Sequence, residues 1–389
     1  MKRAAEKPVS ELLSLAAHYT SVAVDLALYT LASRDQLAAR EVLRLERAID
    51  DYLSDIIAGT ALAIRAPSQT GLAIGIVVLA EAFDKISDAA GDLAGLVLRG
   101  LPVHKFVSAS SVCCGEVVTL VRVNRKPLEM PSLVDLLLLR RDGEYRISPE
   151  WSDVREGDIV VIRGPLEEAE EFSRAVGYSI YSQLSRGTPA LISAIAGDDL
   201  SNAVLQIKSL ARLMLDLALH SLLYNDKALA REVLRLEDEA DSLYIKGLEA
   251  AFAAGNPAAS EEMVSIAVFI KSMESIADAA TMIANITIEG LVSDFLVETM
   301  EEAEEAYLKL LVGEELEGKT INELGLEDDG FLPVAVRSGS TLILPVPRDY
   351  KVKAGDLIIV KYYQPEGGDP TEALEAKGYK VIPPGSPEG

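Results

Sequence analysis

Cysteine is almost missing from this chain of 389 residues, which contains two, adjacent at Cys113 and Cys114. Neighbouring cysteines rarely bridge to each other, so disulfides do not support the fold and a reducing compartment is expected. Aromatic residues are also scarce, at 5%, although apolar residues make up 49% of the chain. A core built mainly from Ala and Leu favours packed helices over a sandwich or barrel, and the length predicts more than one domain.

Positive charge is scarce too, because the chain contains 37 Lys and Arg residues but 61 Asp and Glu residues, which gives a net charge of -24. A chain this acidic repels nucleic acid and anionic membrane surfaces, so no nucleic-acid partner is expected. The longest uncharged stretch, 66–80, is too short to span a bilayer, and Glu6 precedes any apolar run, unlike a signal peptide. We therefore predict a cytoplasmic protein that does not span a membrane and reaches one only through a partner.

Catalytic motifs are missing as well. The three histidines are His18, His104 and His220, and none follows an acidic residue by three positions, as a di-iron helix pair requires. The chain also shows no nucleophile elbow, P-loop or Rossmann fingerprint. These absences predict that the protein is not an enzyme, and a metal-dependent enzyme is the least favoured alternative.

An internal repeat is the strongest feature that is present. The octamer AREVLRLE occurs at 39–46 and again at 230–237. The similarity extends to DLALYTLASRDQLAAREVLRLE from Asp25 and DLALHSLLYNDKALAREVLRLE from Asp216, which is 191 residues later. A repeat of this length indicates that a whole structural unit is duplicated.

Apolar spacing in each copy predicts three long helices joined by short breaks, which makes them antiparallel neighbours. The predicted helices span 8–31, 36–65 and 69–99, then 199–224, 227–254 and 260–289. After each helical unit the pattern changes to that of strands, with a hairpin at RDGE and a short helix at LEEAEEFSRAV in the first copy.

The predicted fold is therefore multi-domain, with two all-α three-helix units alternating with two small α+β domains. The predicted bounds are 8–103 and 198–308 for the helical units, and 109–182 and 309–384 for the small domains. The linker between the halves is expected at 184–197, and the C-terminal PPGSPEG is expected to be disordered.

Four acidic pairs give the candidate site. In each pair two carboxylates lie four residues apart, on one helix face, and the pairs occupy equivalent positions in the two copies. They are Glu46 with Asp50, Asp84 with Asp88, Glu237 with Asp241, and Glu274 with Asp278. Four carboxylates that converge from two helices would repel one another unless a divalent or trivalent metal ion, such as Mg, Mn, Fe, Zn or Ca, neutralises them.

A solvated helix face is the alternative interpretation of these acids. Arg40, Arg44, Arg47, Lys85 and Lys271 lie nearby in the sequence and would then neutralise the carboxylates. A fifth acid, Asp92, extends the ladder in the first copy, but Met282 takes its place in the second. Asp92 is therefore expected to be exposed and not a ligand.

The helical units resemble PhoU domains, whose three-helix repeats carry E/D-x-x-x-D motifs. Those motifs stand here as the four acidic pairs, and SMESIADAATMIANI at 272–286 is similar to the third-helix signature. The resemblance implies a multinuclear cluster of iron, zinc or a related metal, with these eight residues as ligands.

The small domains resemble the TrkA C-terminal domain, also called RCK_C. The second matches over 316–360, with GKTINELGL, a hairpin, LPVP and GDLIIV, whereas the first lacks a GKTINELGL equivalent. The resemblance implies a cytosolic regulator of K⁺ transport whose partner is a membrane K⁺ channel or transporter subunit. It also implies that these domains dimerise and that they bind small ligands such as cyclic dinucleotides. The protein would then form a homo-oligomer, or its two halves would form an internal pseudo-dimer. The nucleotide-binding N-domain that usually precedes TrkA_C is missing.

Three functions are therefore compared. Regulation of K⁺ transport is the first expectation, because two segments resemble TrkA_C domains. The alternative is a PhoU-like regulator of phosphate uptake or signalling, which the acidic helices favour. A metal-dependent enzyme is the least favoured function.

Overall fold

The computed structural model describes residues 7–110, 116–128, 130, 134–142, 144–178, 199–253, 260–301, 305–326, 331–339, 341–343, 346–363 and 371–382. Predictions for Cys113, Cys114, the linker at 184–197 and the C-terminal PPGSPEG lie outside these residues. Within them the helices are α1 Val9–Ser33, α2 Gln36–Ala63, α3 Thr70–Leu98, α4 Lys105–Ser110, α5 Leu166–Ala175, α6 Asp199–Leu223, α7 Lys227–Ala253, α8 Ser260–Ile288, α9 Asp294–Glu301, α10 Ile321–Leu324 and α11 Thr371–Ala376.

The six long helices form two antiparallel three-helix units, α1–α3 and α6–α8, and the short connections follow from the sequence. At the α1–α2 break, Arg34 adopts a left-handed conformation and the Asp35 side chain accepts hydrogen bonds from the N–H groups of Leu37 and Ala38. Asn225 and Asp226 repeat this arrangement before α7. Local capping therefore fixes both helix starts.

The two units share one apolar core, because α3 packs along α8. These helices are antiparallel: Gly75 near the start of α3 contacts Leu291, just after α8, and the N–H of His104, after α3, donates to Ser265 Oγ near the start of α8. The midpoints of α3 and α8 therefore lie side by side.

Helix α1 is long and apolar enough to cross a membrane by length and composition, although it contains no long uncharged run. In its most apolar segment, 61% of the residues are buried inside the protein. Leu13, Leu26 and Leu31 are each 0% exposed in the shared core. The burial identifies α1 as a core helix of this fold.

Each helical unit is followed by a small antiparallel sheet. The strands are β1 Glu116–Arg122, β2 Asp135–Arg141, β3 Glu144–Ile147, β4 Ile159–Pro165, β5 Glu305–Val312, β6 Phe331–Ser338, β7 Thr341–Ile343, β8 Leu357–Tyr363 and β9 Tyr379–Ile382. The first sheet has the order β1-β4-β2-β3 and the second β7-β6-β8-β5-β9, so the same order recurs with β9 added. The predicted hairpin is confirmed as β2–β3 and the predicted short helix as α5.

Two details differ from the sequence prediction. Strand β5 begins at Glu305, before the predicted domain boundary at 309, because it pairs with β8 from Glu305 to Leu311. The short helices α4 and α9 lie in segments without a predicted element. They cross between the halves, since α4 packs on α6 and α9 packs on α1.

Buried ion pairs fix each sheet to its helices. Asp25 of α1, which is 2% exposed, pairs with Arg163 of β4, which is 1% exposed, and with Arg212 of α6 at 2.7 Å. The Arg163 guanidinium also lies 2.6 Å from Asp135 of β2. One charged cluster thus links both helical units to the first sheet.

The second sheet is fixed in the same way, at equivalent positions of the sequence repeat. Asp216 of α6 accepts a hydrogen bond from the Tyr307 hydroxyl at 2.8 Å and lies 3.8 Å from the Lys361 ammonium. Asp226, the cap of α7, is fully buried and pairs with Arg337 of β6. The first sheet therefore lies against α1 and the second against α6.

Candidate functional site

The predicted acidic pairs come together as two clusters on neighbouring helices. Helices α2 and α3 pack along each other and carry Glu46, Asp50, Asp84 and Asp88, which we call the first cluster. Helices α7 and α8 do the same for Glu237, Asp241, Glu274 and Asp278, the second cluster. The α3–α8 contact lies between them, since Lys85 of α3 reaches Asp278 of α8.

The first cluster contains carboxylates that repel one another at close range. Burial, the hydrogen-bonding contact with Asp50 and the charges of Asp88, Asp50 and Glu46 together raise the pKa of Asp84 to about 7. Burial and the neighbouring acids also raise the pKa values of Glu46 and Asp88. This site therefore favours a bound proton or cation at neutral pH.

Two further contacts shape the first cluster. The Oδ1 atom of Asp84 is buried and has no hydrogen-bond donor within the described residues. The Glu46 carboxylate lies directly against Gly91 of α3, where a methyl group would collide with it. Glycine at 91 therefore makes the space that admits a carboxylate between α2 and α3.

The first cluster has no internal counter-ion. In the part of the chain that the structure describes, none of its four acids forms an ion pair with a lysine or arginine. The nearby Arg47 lowers the pKa of Glu46 through its charge, but it is the smallest of the contributions at that residue. Asp92, expected to be a bystander, is exposed yet raises the pKa values of Glu46 and Asp88, so it adds to the same negative field.

The second cluster is more compact but partly neutralised. Oxygen atoms of Asp241, Glu274 and Asp278 all lie within 4.8 Å of one another. However, Lys85 is 2.6 Å from Asp278, and Lys271 forms an ion pair with Glu274. Two lysine ammonium groups thus already balance part of its charge.

The two clusters therefore differ in how well they fit a metal ion. Geometry favours the second, where three oxygens are close together, whereas charge favours the first, where no cation is built in. Charge carries more weight, because a metal ion at the second cluster must displace two lysine ammonium groups, whereas it displaces none at the first. An orphaned buried oxygen on Asp84 and a set of carboxylate donors together fit a hard cation in the first cluster.

Sequence reasoning did not single out the buried ion pairs of Asp25, Asp216 and Asp226. The repeat contained a signal for them, because DLALYTLASRD and DLALHSLLYND preserve both of their aspartates. Those aspartates fix the sheets and cap α2 and α7, so their conservation between the copies has a structural cause.

Comparisons with known proteins support part of this picture. Residues 204–287 match the family model described as the PhoU domain. The match spans most of α6, all of α7 and most of α8, and it includes the four acids of the second cluster.

One solved structure that resembles this chain is that of PhoU from Pseudomonas aeruginosa. It has 16% sequence identity and a TM-score of 0.40, covering 72% of this chain and 92% of that one. Among curated proteins, the search found no match to this chain. At this level of similarity, the functional argument depends on the matched PhoU segment and on the chain's own residues.

Proposed function

We propose that this protein is a cytoplasmic PhoU-type regulator of phosphate uptake or signalling whose helical units bind multivalent cations. The observation that carries the proposal is the PhoU-domain match at 204–287, which contains four of the eight predicted ligands. Equivalent acids in the first helical unit extend the proposal to residues outside that match. The protein would act through a membrane transporter partner and would catalyse no reaction.

In this proposal the first cluster is the tighter metal site. Glu46, Asp50, Asp84 and Asp88 would hold the ion, and its positive charge would offset the repulsion that raises the pKa values of Glu46, Asp84 and Asp88. The second cluster would bind more weakly, because a metal ion must compete with Lys85 and Lys271. This order of affinities depends on the built-in charges, whereas the closer oxygen atoms favour the second cluster.

Metal content tests this order. The protein is purified without chelator, and elemental analysis counts bound ions in the wild type and two variants with changes at equivalent positions. One variant carries Asp50→Asn with Asp88→Asn, and the other carries Asp241→Asn with Asp278→Asn. The first variant should lose the more tightly held metal, and equal metal content in all three proteins would exclude these acids as ligands.

Regulation of K⁺ transport, the first expectation from sequence, is the second candidate. It depends on the GKTINELGL segment, where Thr320 and Glu323 form a reciprocal capping box at the start of α10 and Gly325 ends that helix with a φ of 64°. These residues have a structural explanation, so they add little to a ligand-binding argument. The PhoU match therefore makes phosphate the favoured ion.

A deletion strain distinguishes the two candidates. Uptake of labelled phosphate, and of rubidium as a K⁺ tracer, is measured in wild-type and deletion cells at low and high supply of each ion. The proposal expects altered phosphate uptake that the wild-type gene restores and the Asp50→Asn, Asp88→Asn gene does not. A change confined to rubidium uptake would support the K⁺ function instead.

A further inference from the structure

A cleft that none of the eight cluster acids lines lies between the first half of α2 and strand β3. Its volume is about 640 Å³, which is within the range of small-molecule sites, roughly 300–1,000 Å³. The residues that line it are mostly polar or charged: Leu37, Arg40, Glu41, Leu43, Arg44, Arg47, Glu144 and Tyr145. Such a lining suits a charged ligand better than an apolar one.

Three arginines give this cleft its chemistry. Arg40, Arg44 and Arg47 lie four and three residues apart, so their side chains leave α2 on the same face. Within the described residues, Arg40 and Arg47 form no ion pair. Two guanidinium groups are thus available to an incoming anion.

Arg44 is held in place by a buried partner. Its Nη1 atom lies 2.9 and 3.1 Å from the two carboxylate oxygens of Glu41, a residue that is only 8% exposed. The Nε and Nη2 groups have no acceptor among the residues that the structure describes. Glu41 therefore orients Arg44 and leaves donors for a ligand, which lowers the entropy lost on binding.

The equivalent place in the second half has only some of these features, although the fold there is the same. Arg231 and Arg235 correspond to Arg40 and Arg44, and Arg235 pairs with Glu232 as Arg44 does with Glu41. However, Asp238 takes the place of Arg47. Leu342 takes the place of Tyr145, because Leu342 pairs with Arg337 across the β6–β7 hairpin as Tyr145 pairs with Arg140 across β2–β3. The scaffold does not require the third arginine or the tyrosine.

We propose that this cleft binds a phosphorylated small molecule that also carries an apolar or aromatic group. Guanidinium groups match phosphate oxygens in shape and charge, so Arg40, Arg44 and Arg47 bind the phosphates. Leu37, which is 44% exposed, and the ring of Tyr145 contact the apolar part. Glu144 at the edge of the cleft weakens binding through repulsion.

Isothermal titration calorimetry of the full-length protein tests the proposal, with ATP as the probe and pyrophosphate, adenosine and citrate for comparison. The buffer is depleted of divalent ions, so that the acidic clusters do not hold ATP through a metal. Arg40→Gln with Arg47→Gln removes the two unpaired arginines. Arg231→Gln with Lys246→Gln, both exposed on α7, is the matched control that removes the same charge.

The double arginine variant should bind ATP about a hundredfold more weakly, because it loses two charge-assisted hydrogen bonds and each costs roughly tenfold. The control should stay within about twofold of wild type, and Glu144→Gln should bind more tightly. Because misfolding would weaken ATP binding, a gain in ATP affinity by the Glu144→Gln variant could not result from misfolding.

Several results would overturn the proposal. These are no ATP binding to the wild type at millimolar concentration, equal weakening in the control, or citrate binding as tightly as ATP. If pyrophosphate binds as tightly as ATP, the roles of Leu37 and Tyr145 are wrong. Failure of metal binding or of phosphate regulation would leave these outcomes unaffected, so the proposals are tested separately.

Discussion

Replacing Asp84 by Asn should stabilise the metal-free protein, although it removes a half-buried polar side chain. The pKa of Asp84 is raised from 3.8 to about 7, so the folded protein at pH 8 contains a carboxylate that it disfavours. Asparagine has nearly the same shape, carries no charge and can donate a hydrogen bond to Asp50. The substitution therefore converts a repulsion into an attraction.

The size of the stability gain follows from the pKa shift of Asp84. The full change of pKa corresponds to about 4 kcal/mol at pH 8. Solvent screens a half-exposed cluster, so the expected gain in the free energy of unfolding is about 1 kcal/mol. Because a raised acid pKa costs stability above the unfolded-state value, the gain should shrink as the pH falls from about 7 towards 4.

Urea unfolding of the metal-free protein at pH 8 and pH 5 measures this effect. The equivalent substitution in the second helical unit, Glu274→Gln, is the matched control and should act in the opposite direction, because it breaks the ion pair with Lys271. With saturating metal, Asp84→Asn should instead lose stability relative to wild type. Destabilisation by Asp84→Asn in metal-free protein at pH 8, or the same sign for both variants, would refute the reasoning.

Three further predictions concern other parts of the molecule. Gly91→Ala should displace the Glu46 carboxylate and weaken metal binding in calorimetry, while circular dichroism stays unchanged; unaltered affinity would mean that Glu46 is not a ligand. Asp25→Asn should cost about 3–5 kcal/mol in urea unfolding, because it removes the buried carboxylate that both Arg163 and Arg212 share and leaves Asp135 to balance Arg163; a loss below about 1 kcal/mol would contradict this. Burial lowers the pKa of His220 well below 6.5, so protonation opposes folding and the free energy of unfolding should fall as the pH drops below 6.5. His220→Phe should flatten the pH dependence of the free energy of unfolding between pH 6.5 and 4. An unchanged slope would exclude His220 as the cause of that dependence.

Much of the fold follows from local patterns. Asp35 and Asp226 cap helices through N–H groups two and three residues away, so the helix starts can be read from a few neighbouring letters. The β2–β3 hairpin is equally local. The short helices α4 and α9 were missed because they owe their stability to packing on the other half of the chain, which no local pattern contains.

The candidate site was partly predictable for the same reason. Spacing along a helix places Glu46 with Asp50 on one face, and the repeat shows that the same pairs recur. The arginine-lined cleft was not predicted, since Arg40, Arg44 and Arg47 are near the acids in sequence and were considered only as counter-ions, in the alternative interpretation of the acids. The structure places all three along the wall of a cleft against β3.

The sequence by itself determined the helical units, the repeated strand pattern and the positions of eight carboxylates, because helix period and capping depend on residues a few positions apart. Only the tertiary structure decided that Lys85 of the first helical unit neutralises Asp278 of the second. Lys85 and Asp278 are 193 residues apart in the chain and meet because α3 packs along α8. Charge balance depends on distance in space, so two clusters with the same sequence pattern differ in their electrostatics.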